Sequence, residues 1–494
     1  MKHPLLSRSP RFPAHRKQER GVTIAFIALA MFAIIAMAAL SIDVATLYLA
    51  RSEAQRAADA AALTAARMIS MSGITGDTEN DTNSWQQICG GPTSPATQAA
   101  QAVAGLNLVG GISTAASNVT VTYSAGLGAG QFVDCSQLSD PFAVNPLVTV
   151  QVRRPNLPTF FARIWGTSVS SVSATAVAEV FNSSNSATQN NGLSGTIFPV
   201  QPRCVKPWIV PNLDPLHGPP NCTTNCDTFV SPTDGSITSP GVLANGSGVI
   251  GEKFWINPDC HRFIGGGACI VVNTTPQAND GRVNGFTVPD LEYLPGQASF
   301  ASTAVPGCSV PGTNSPNYEP AIAGCDQLTP YKCGVQNQNF VDLSENPGPT
   351  TNDTLNGVQC LNHQSAPGIG NGQDLLAPAG ATPPNFPFQV MAGSANPLTG
   401  VGVAQGSLIT SSNSVVTVPI YDTTPGTTFT TGQAPVPVTI VGFLQVFLND
   451  VDADGDVNVT VLNVTGCGNG TNATAPVPVT GSSPVPVRLI TPPQ

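Results

Sequence analysis

The sequence predicts an α+β chain: a long N-terminal transmembrane and Ala-rich helix, then a small sheet, then a β-rich, loop-rich domain braced by disulfides. Three observations carry this. Residues 22–42 hold no charge, and their only polar side chains are Thr23 and Ser41. Residues 43–69 contain ten Ala and neither Gly nor Pro. All twelve cysteines lie at or beyond Cys89, in a chain whose 48 Gly and 45 Pro limit the length of regular elements.

Composition narrows the class first. Only 10% of the 494 residues are charged, against about 25% in a typical soluble domain. A hydrophobic fraction of 41% still supplies a folded core. Residues 1–20 carry six Lys or Arg and one acid, a head of net +5 on a chain of net −10, so the rest carries −15. The basic charge is absent from the body, so no nucleic-acid partner is expected. A membrane partner is expected. An uncharged helix of this length reaches about 30 Å, the thickness of a bilayer's hydrocarbon core. The basic flank places residues 1–20 in the cytoplasm and the rest outside, a single pass of a bacterial inner membrane. A cleaved signal peptide has a shorter apolar run and a small-residue cleavage site. Here the helical pattern continues through Asp43.

The helix therefore extends to about residue 69. High helix propensity and the pairs Glu53/Arg56 and Arg56/Asp59, three residues apart, support it. Its face of Ala54, Ala58, Ala61, Ala62 and Ala65 admits close packing, on the chain's own ectodomain or, less readily, on a partner. Residues 70–93 read as a loop. Ser94-Pro95 fits an N-cap and first helical position for a short helix over 96–104. Residues 118–124 and 147–153 alternate as strands do. A short helix is expected within 157–165 and a strand over 169–181. The polar stretch 182–195 is a linker, so residues 196–494 form a separate β-rich ectodomain. That ectodomain has no strong helical window. Its best strands are 415–421, 438–448 and 457–464, rich in β-branched residues.

Gly21, the apolar span, Ile42-Asp43-Val44, Leu47-Tyr48-Leu49, Arg51 and the run Gln55-Arg56-Ala57-Ala58-Asp59-Ala60-Ala61-Ala62-Leu63 resemble the N-terminus of TadE/TadG-like proteins of Flp (tight-adherence) pilus assembly. The likeness covers about residues 20–70, with a looser match to about 181. It implies a pilin-like α+β module over 70–181 and a membrane-anchored, extracytoplasmic, non-enzymatic role beside other Tad/Flp pilus-assembly proteins. Prepilins are cut after a Gly and usually carry Glu five residues later. That position after Gly21 is Phe26, so the helix is expected to be retained. Some TadG-like proteins carry a D-x-S-x-S metal loop. Asp234-Gly235-Ser236-Ile237-Thr238 lacks the apolar strand before it and reads as a surface turn.

An even cysteine count outside the cytoplasm reads as disulfides. Cys89 and Cys135, alone in the first module, are candidates to pair. Cys222-x3-Cys226 with Cys260-His261 is too irregular for a zinc motif. His217 and His363 stand isolated, and no nucleophile elbow, zincin or Walker motif is present, so no enzyme is expected. The most chemical segment is Asp450, Asp452, Asp454, Asp456 and Asn458. Their alternate spacing, with Gly455 at the turn, matches the start of an EF-hand-type Ca2+ loop, but the twelfth position is Val461. A hairpin with a solvated Asp-Gly turn explains the same residues, and no cofactor beyond Ca2+ is indicated. The function read from all this is a structural component of Flp/Tad pilus assembly or surface attachment, acting by binding. The alternative is an anchored adhesin or carbohydrate-binding protein. It would need an aromatic groove, for which Trp208 and Trp255 are the only tryptophans beyond 195.

Overall fold

The computed structural model describes residues 20–77, 85–126, 132–138, 140–144, 146–166, 169–185, 200–217, 227–243, 248–258, 278, 289–296, 302–303, 318–326, 331–333, 339–341, 351–377, 386–423, 436–467, 477–478 and 483–490. Helix α1 (Arg20–Met71, 52 residues) runs unbroken, about 78 Å at 1.5 Å per residue. Its first half is bare: Ile24, Phe26, Phe32 and Ile35 are each more than 60% exposed. It is long and apolar enough to cross a membrane. Its second half is buried along one face, with Ala54, Ala57, Ala58, Ala61, Ala62, Ala65 and Ala66 fully covered. The change comes where β-branched and aromatic side chains give way to alanine, which lets other backbones approach.

Those backbones belong to the chain itself. Helix α2 (Pro95–Leu106) lays Ala96, Ala100 and Ala104, one face at a spacing of four, against α1. Ser94 takes the N-cap position, though its hydroxyl bonds Gly91 O and Thr97 Oγ1, not a free helix amide. Strands β1 (Val119–Ser124), β2 (Leu147–Pro158) and β3 (Val169–Val180) form an antiparallel meander, Val121 opposite Val150 and Val150 opposite Ala176. Val148, Val150 and Val152 alternate inward beside Ala174, Ala176 and Ala178, in one core with the α1 alanines. Alanine on both helix and strand is what permits this close fit. The short helix expected within 157–165 is the 3-10 turn Ala162–Trp165, with Leu157 and Pro158 still in β2. Cys89 and Cys135 are bonded.

Beyond the first module, strands β4 (Trp208–Pro211), β5 (Lys253–Pro258), β6 (Asp290–Pro295), β7 (Val415–Tyr421), β8 (Ile440–Val451) and β9 (Val457–Gly466) close a barrel in the order β7-β8-β9-β5-β6-β4. Pairing is antiparallel except for β7 with β4 and β5 with β6. Closure leaves no exposed strand edge. β9 is buried at every position and β8 at all but one, so both faces are covered. Val446, Val459 and Val461 join the main core, while Ile440, Phe443 and Tyr421 join a second, smaller one. Cys333–Cys467 ties the end of β9 to a distant loop, and Cys204 and Cys360 are also disulfide-bonded.

Two features depart from the sequence reading. Helix α4 (Thr351–Asn362) forms where no helical window stands out, packed on helix α3 (Tyr318–Ala323). Tertiary burial overrides its weak propensity: Val358 and Leu361 enter the barrel core, and a Cβ on Gly357 would sit 2.8 Å from Ile322 Cβ. The C-terminal strand β10 (Val487–Ile490) returns to the first module and pairs with β3, Val487 opposite Val180, although it lies within the stretch 196–494 read as the second. Most of the 182–195 linker lies outside the described residues.

The two modules meet through buried polar groups. Asn463 on β9 is fully buried. Its Nδ2 donates to Ser70 O (2.7 Å) and Gln445 Oε1 (2.8 Å), and its Oδ1 accepts from the Thr75 hydroxyl (2.9 Å). Asn182 Nδ2 donates to Thr75 O and Val464 O. Gly73, at φ +85°, lies where a Cβ would come within 2.9 Å of Leu462 O.

Candidate functional site

The end of the bare half of α1 is marked by Asp43. Its side chain is covered, and its carboxylate accepts the backbone N–H groups of Phe160 (2.9 Å), Phe161 (3.0 Å) and Ala162 (2.6 Å). These are donors at the start of a 3-10 turn, which have no partner within the turn itself. The first acid after the apolar span therefore grips the β2–β3 connection. A second grip lies below it, where the Glu53 carboxylate accepts Gly110 N–H (2.7 Å).

The Asp-rich segment forms the β8–β9 hairpin. Asp450 pairs with Asn458 across the strands, and Gly455 takes φ +82° at the turn. Asp452 Oδ1 accepts the N–H groups of Asp454 and Asp456, both at 2.9 Å. Asn458 Oδ1 accepts from Asn449 Nδ2. Asp450 is buried, and burial, opposed by Lys253 and reinforced by Asp452, pushes its pKa up to about 6. The strand–turn–strand setting of the five predicted residues is as read. Asp452 and Asn458 serve the hairpin's own hydrogen bonding. Asp234 likewise closes a turn, accepting Ser236 N–H (3.0 Å). Cys222, Cys226, Cys260 and His261 lie outside the described residues.

Residues 21–68 match the Tad family model, described as "Putative Flp pilus-assembly TadE/G-like". The N-terminal helix is TadE/G-like. No curated protein and no solved structure matches the chain. The TadE/G-like segment covers the apolar span, Asp43 and nearly all of the alanine face, so the likeness runs over both the bare and the packed half of α1.

One group of side chains was not legible in the sequence. Asp214 follows β4, and its Oδ1 accepts the N–H groups of Leu216 (2.9 Å) and His217 (3.1 Å). That turn brings His217 Nδ1 to 2.9 Å from Asp214 Oδ2. Glu252, just before β5, places Oε1 2.7 Å from the same nitrogen. Both carboxylates are fully buried, and the imidazole is 16% exposed. Among the described residues this is the group of His, Cys, Asp or Glu whose ligand atoms converge within 4.8 Å. The close carboxylates of Asp214 first and then Glu252 push the His217 pKa up to about 10. Burial pushes Glu252 up to about 8 against the pull of His217. The Asp-x-x-His spacing is a visible signal, but Glu252 is distant in sequence, so His217 reads as isolated.

Of the two tryptophans beyond residue 195, Trp255 is half-buried. Trp208 is fully buried against Tyr293, ring centroids 6.2 Å apart.

Proposed function

We propose that this chain is a membrane-anchored, extracytoplasmic structural component of Tad/Flp pilus assembly that acts by binding and not by catalysis. The observation that supports it is the division of α1: the TadE/G-like segment leaves an apolar half bare and seats its alanine half on the chain's own sheet. A helix of this kind holds a folded body at a fixed distance from a membrane. The basic head orients it with residues 1–20 inside, and the disulfides Cys89–Cys135 and Cys333–Cys467 suit an oxidising exterior. Partners are other proteins of the same apparatus. The adhesin reading lacks support from Trp208, which is enclosed.

Two measurements test this. A reporter active only outside the cytoplasm, fused after residue 494, should be active, and removal of residues 1–42 should release the body from membranes. Full-length protein solubilised in mild detergent should co-purify with pilus-assembly proteins. An inactive exterior reporter would overturn the topology, and an absence of pilus-assembly proteins from the purified material would overturn the assembly role.

A further inference from the structure

We propose that Asp214, His217 and Glu252 bind a divalent transition-metal ion, Zn2+ being the best match, through Oδ2, Nδ1 and Oε1. The geometry carries this. Two carboxylate oxygens approach one imidazole nitrogen, at 2.9 and 2.7 Å. That nitrogen carries at most one proton, so it can serve only one of them. Asp214 has the hydrogen-bond geometry. Glu252 does not: both its oxygens are buried without a hydrogen-bond partner, although the residue is fully enclosed. A buried carboxylate in that condition is costly. One dication among the three atoms satisfies all of them and balances two carboxylate charges.

The separations are close to those of a site. Ligand atoms on tetrahedral Zn2+ with bonds of about 2.0–2.2 Å lie roughly 3.3–3.6 Å apart, so the two carboxylate oxygens need to move back from Nδ1 by only about half an ångström or somewhat more to admit the ion. An imidazole ligand selects Zn2+ and its neighbours over Ca2+ and Mg2+, which favour oxygen alone. The ligands are held in advance. Asp214 Oδ1 is fixed by two backbone N–H groups, the kind of outer support that orients a ligating carboxylate. Glu252 O accepts Val461 N–H from β9 at 2.9 Å, locking its backbone to the barrel. The ion would clip the chain leaving β4 to the chain entering β5, with entry from the His217 side, the one member that is not fully enclosed.

The test uses full-length, untagged protein in detergent, stripped with a chelator and then equilibrated with Zn2+ alone. One Zn2+ per chain and a raised melting temperature are expected. Glu252→Gln and His217→Gln should each weaken binding by about 100-fold or more, beyond the roughly 10- to 100-fold typical of outer-shell losses. His363→Gln should leave it unchanged. Far-UV circular dichroism checks that each variant folds. Should Glu252→Gln not fold, Asp214→Asn replaces it, since its amide oxygen can still accept the Leu216 and His217 N–H groups. No Zn2+ bound by the wild type at micromolar concentration, or equal binding by wild type and folded variants, would overturn the site.

Discussion

The Asp43 carboxylate accepts the Ala162 backbone N–H at 2.6 Å, joining the first residue after the apolar span to a turn more than a hundred residues later. With Phe160 and Phe161 on the same carboxylate, this holds the sheet against α1 where the apolar half of the helix ends. Asp43→Ala should leave three amide donors unmatched and loosen the β2–β3 connection. Limited proteolysis of detergent-solubilised protein should cut near residues 158–166 several-fold faster than in the wild type. Unchanged cleavage would remove Asp43 from this role.

Ala61 is fully buried in the core that α1 shares with the sheet. Ala61→Leu should overpack it and cost about 1–3 kcal/mol. Ala30→Leu, on the bare half, should change stability little. Thermal melts of both variants in detergent give the comparison.

The C-terminal strand completes the first sheet. Val485 is fully buried, Ser70 Oγ donates to Val485 O at 2.6 Å, and Arg488 Nε pairs with Glu179 Oε2 at 2.8 Å. Removing residues 483–494 exposes the β3 edge and uncovers this core, with each lost buried Val worth about 1.5–3 kcal/mol. The truncated protein should melt lower and aggregate through the free edge. Light scattering during the melt reads both effects.

Lys206 is buried, and its ammonium donates to Ile322 O (2.6 Å) and Gly324 O (2.7 Å). Burial pushes its pKa down to about 7 from an ordinary 10.5. Between those values the unfolded chain binds the extra proton, so stability rises with pH across that window by up to about 1.4 kcal/mol per unit. Below about pH 7 both states are protonated and the dependence ends. Raised pKa values at His217 and Glu252 act with the opposite sign in both proteins, so denaturant melts from pH 6 to 9 should show the wild type gaining this slope relative to Lys206→Met.

At the β8–β9 hairpin, Asp452 already closes the turn through two backbone N–H groups. Millimolar Ca2+ is therefore expected to leave the melting temperature unchanged. A rise of several degrees that disappears in Asp454→Asn would instead establish the loop as a Ca2+ site.

Several elements were legible because their signals are local. The uncharged run and ten alanines specify α1, alternation specifies β1 and β2, and β-branched density marks β7 and β9, with β7 found over the very residues 415–421. The Asp-Gly turn at 454–455 announces the hairpin. Helix α4 was not legible, because Thr351–Asn362 is polar and rich in weak helix formers (Asn352, Asn356, Gly357 and Asn362) and is stabilised by Val358 and Leu361 entering the core. Asn463 looks like an ordinary strand residue, and only its buried partners Ser70, Thr75 and Gln445 reveal its place between the modules.

By itself, the sequence determined the long apolar helix, the alanine face, the main strands of both modules and the TadE/G-like character of residues 21–68, since each rests on residue type and short-range spacing. Only the tertiary structure decided that the barrel closes, that β10 returns to β3, and that Glu252 reaches His217. Those pairings join residues far apart in the chain. Their hydrogen bonds and buried charges depend on which backbones become neighbours, and no periodicity within either segment encodes that.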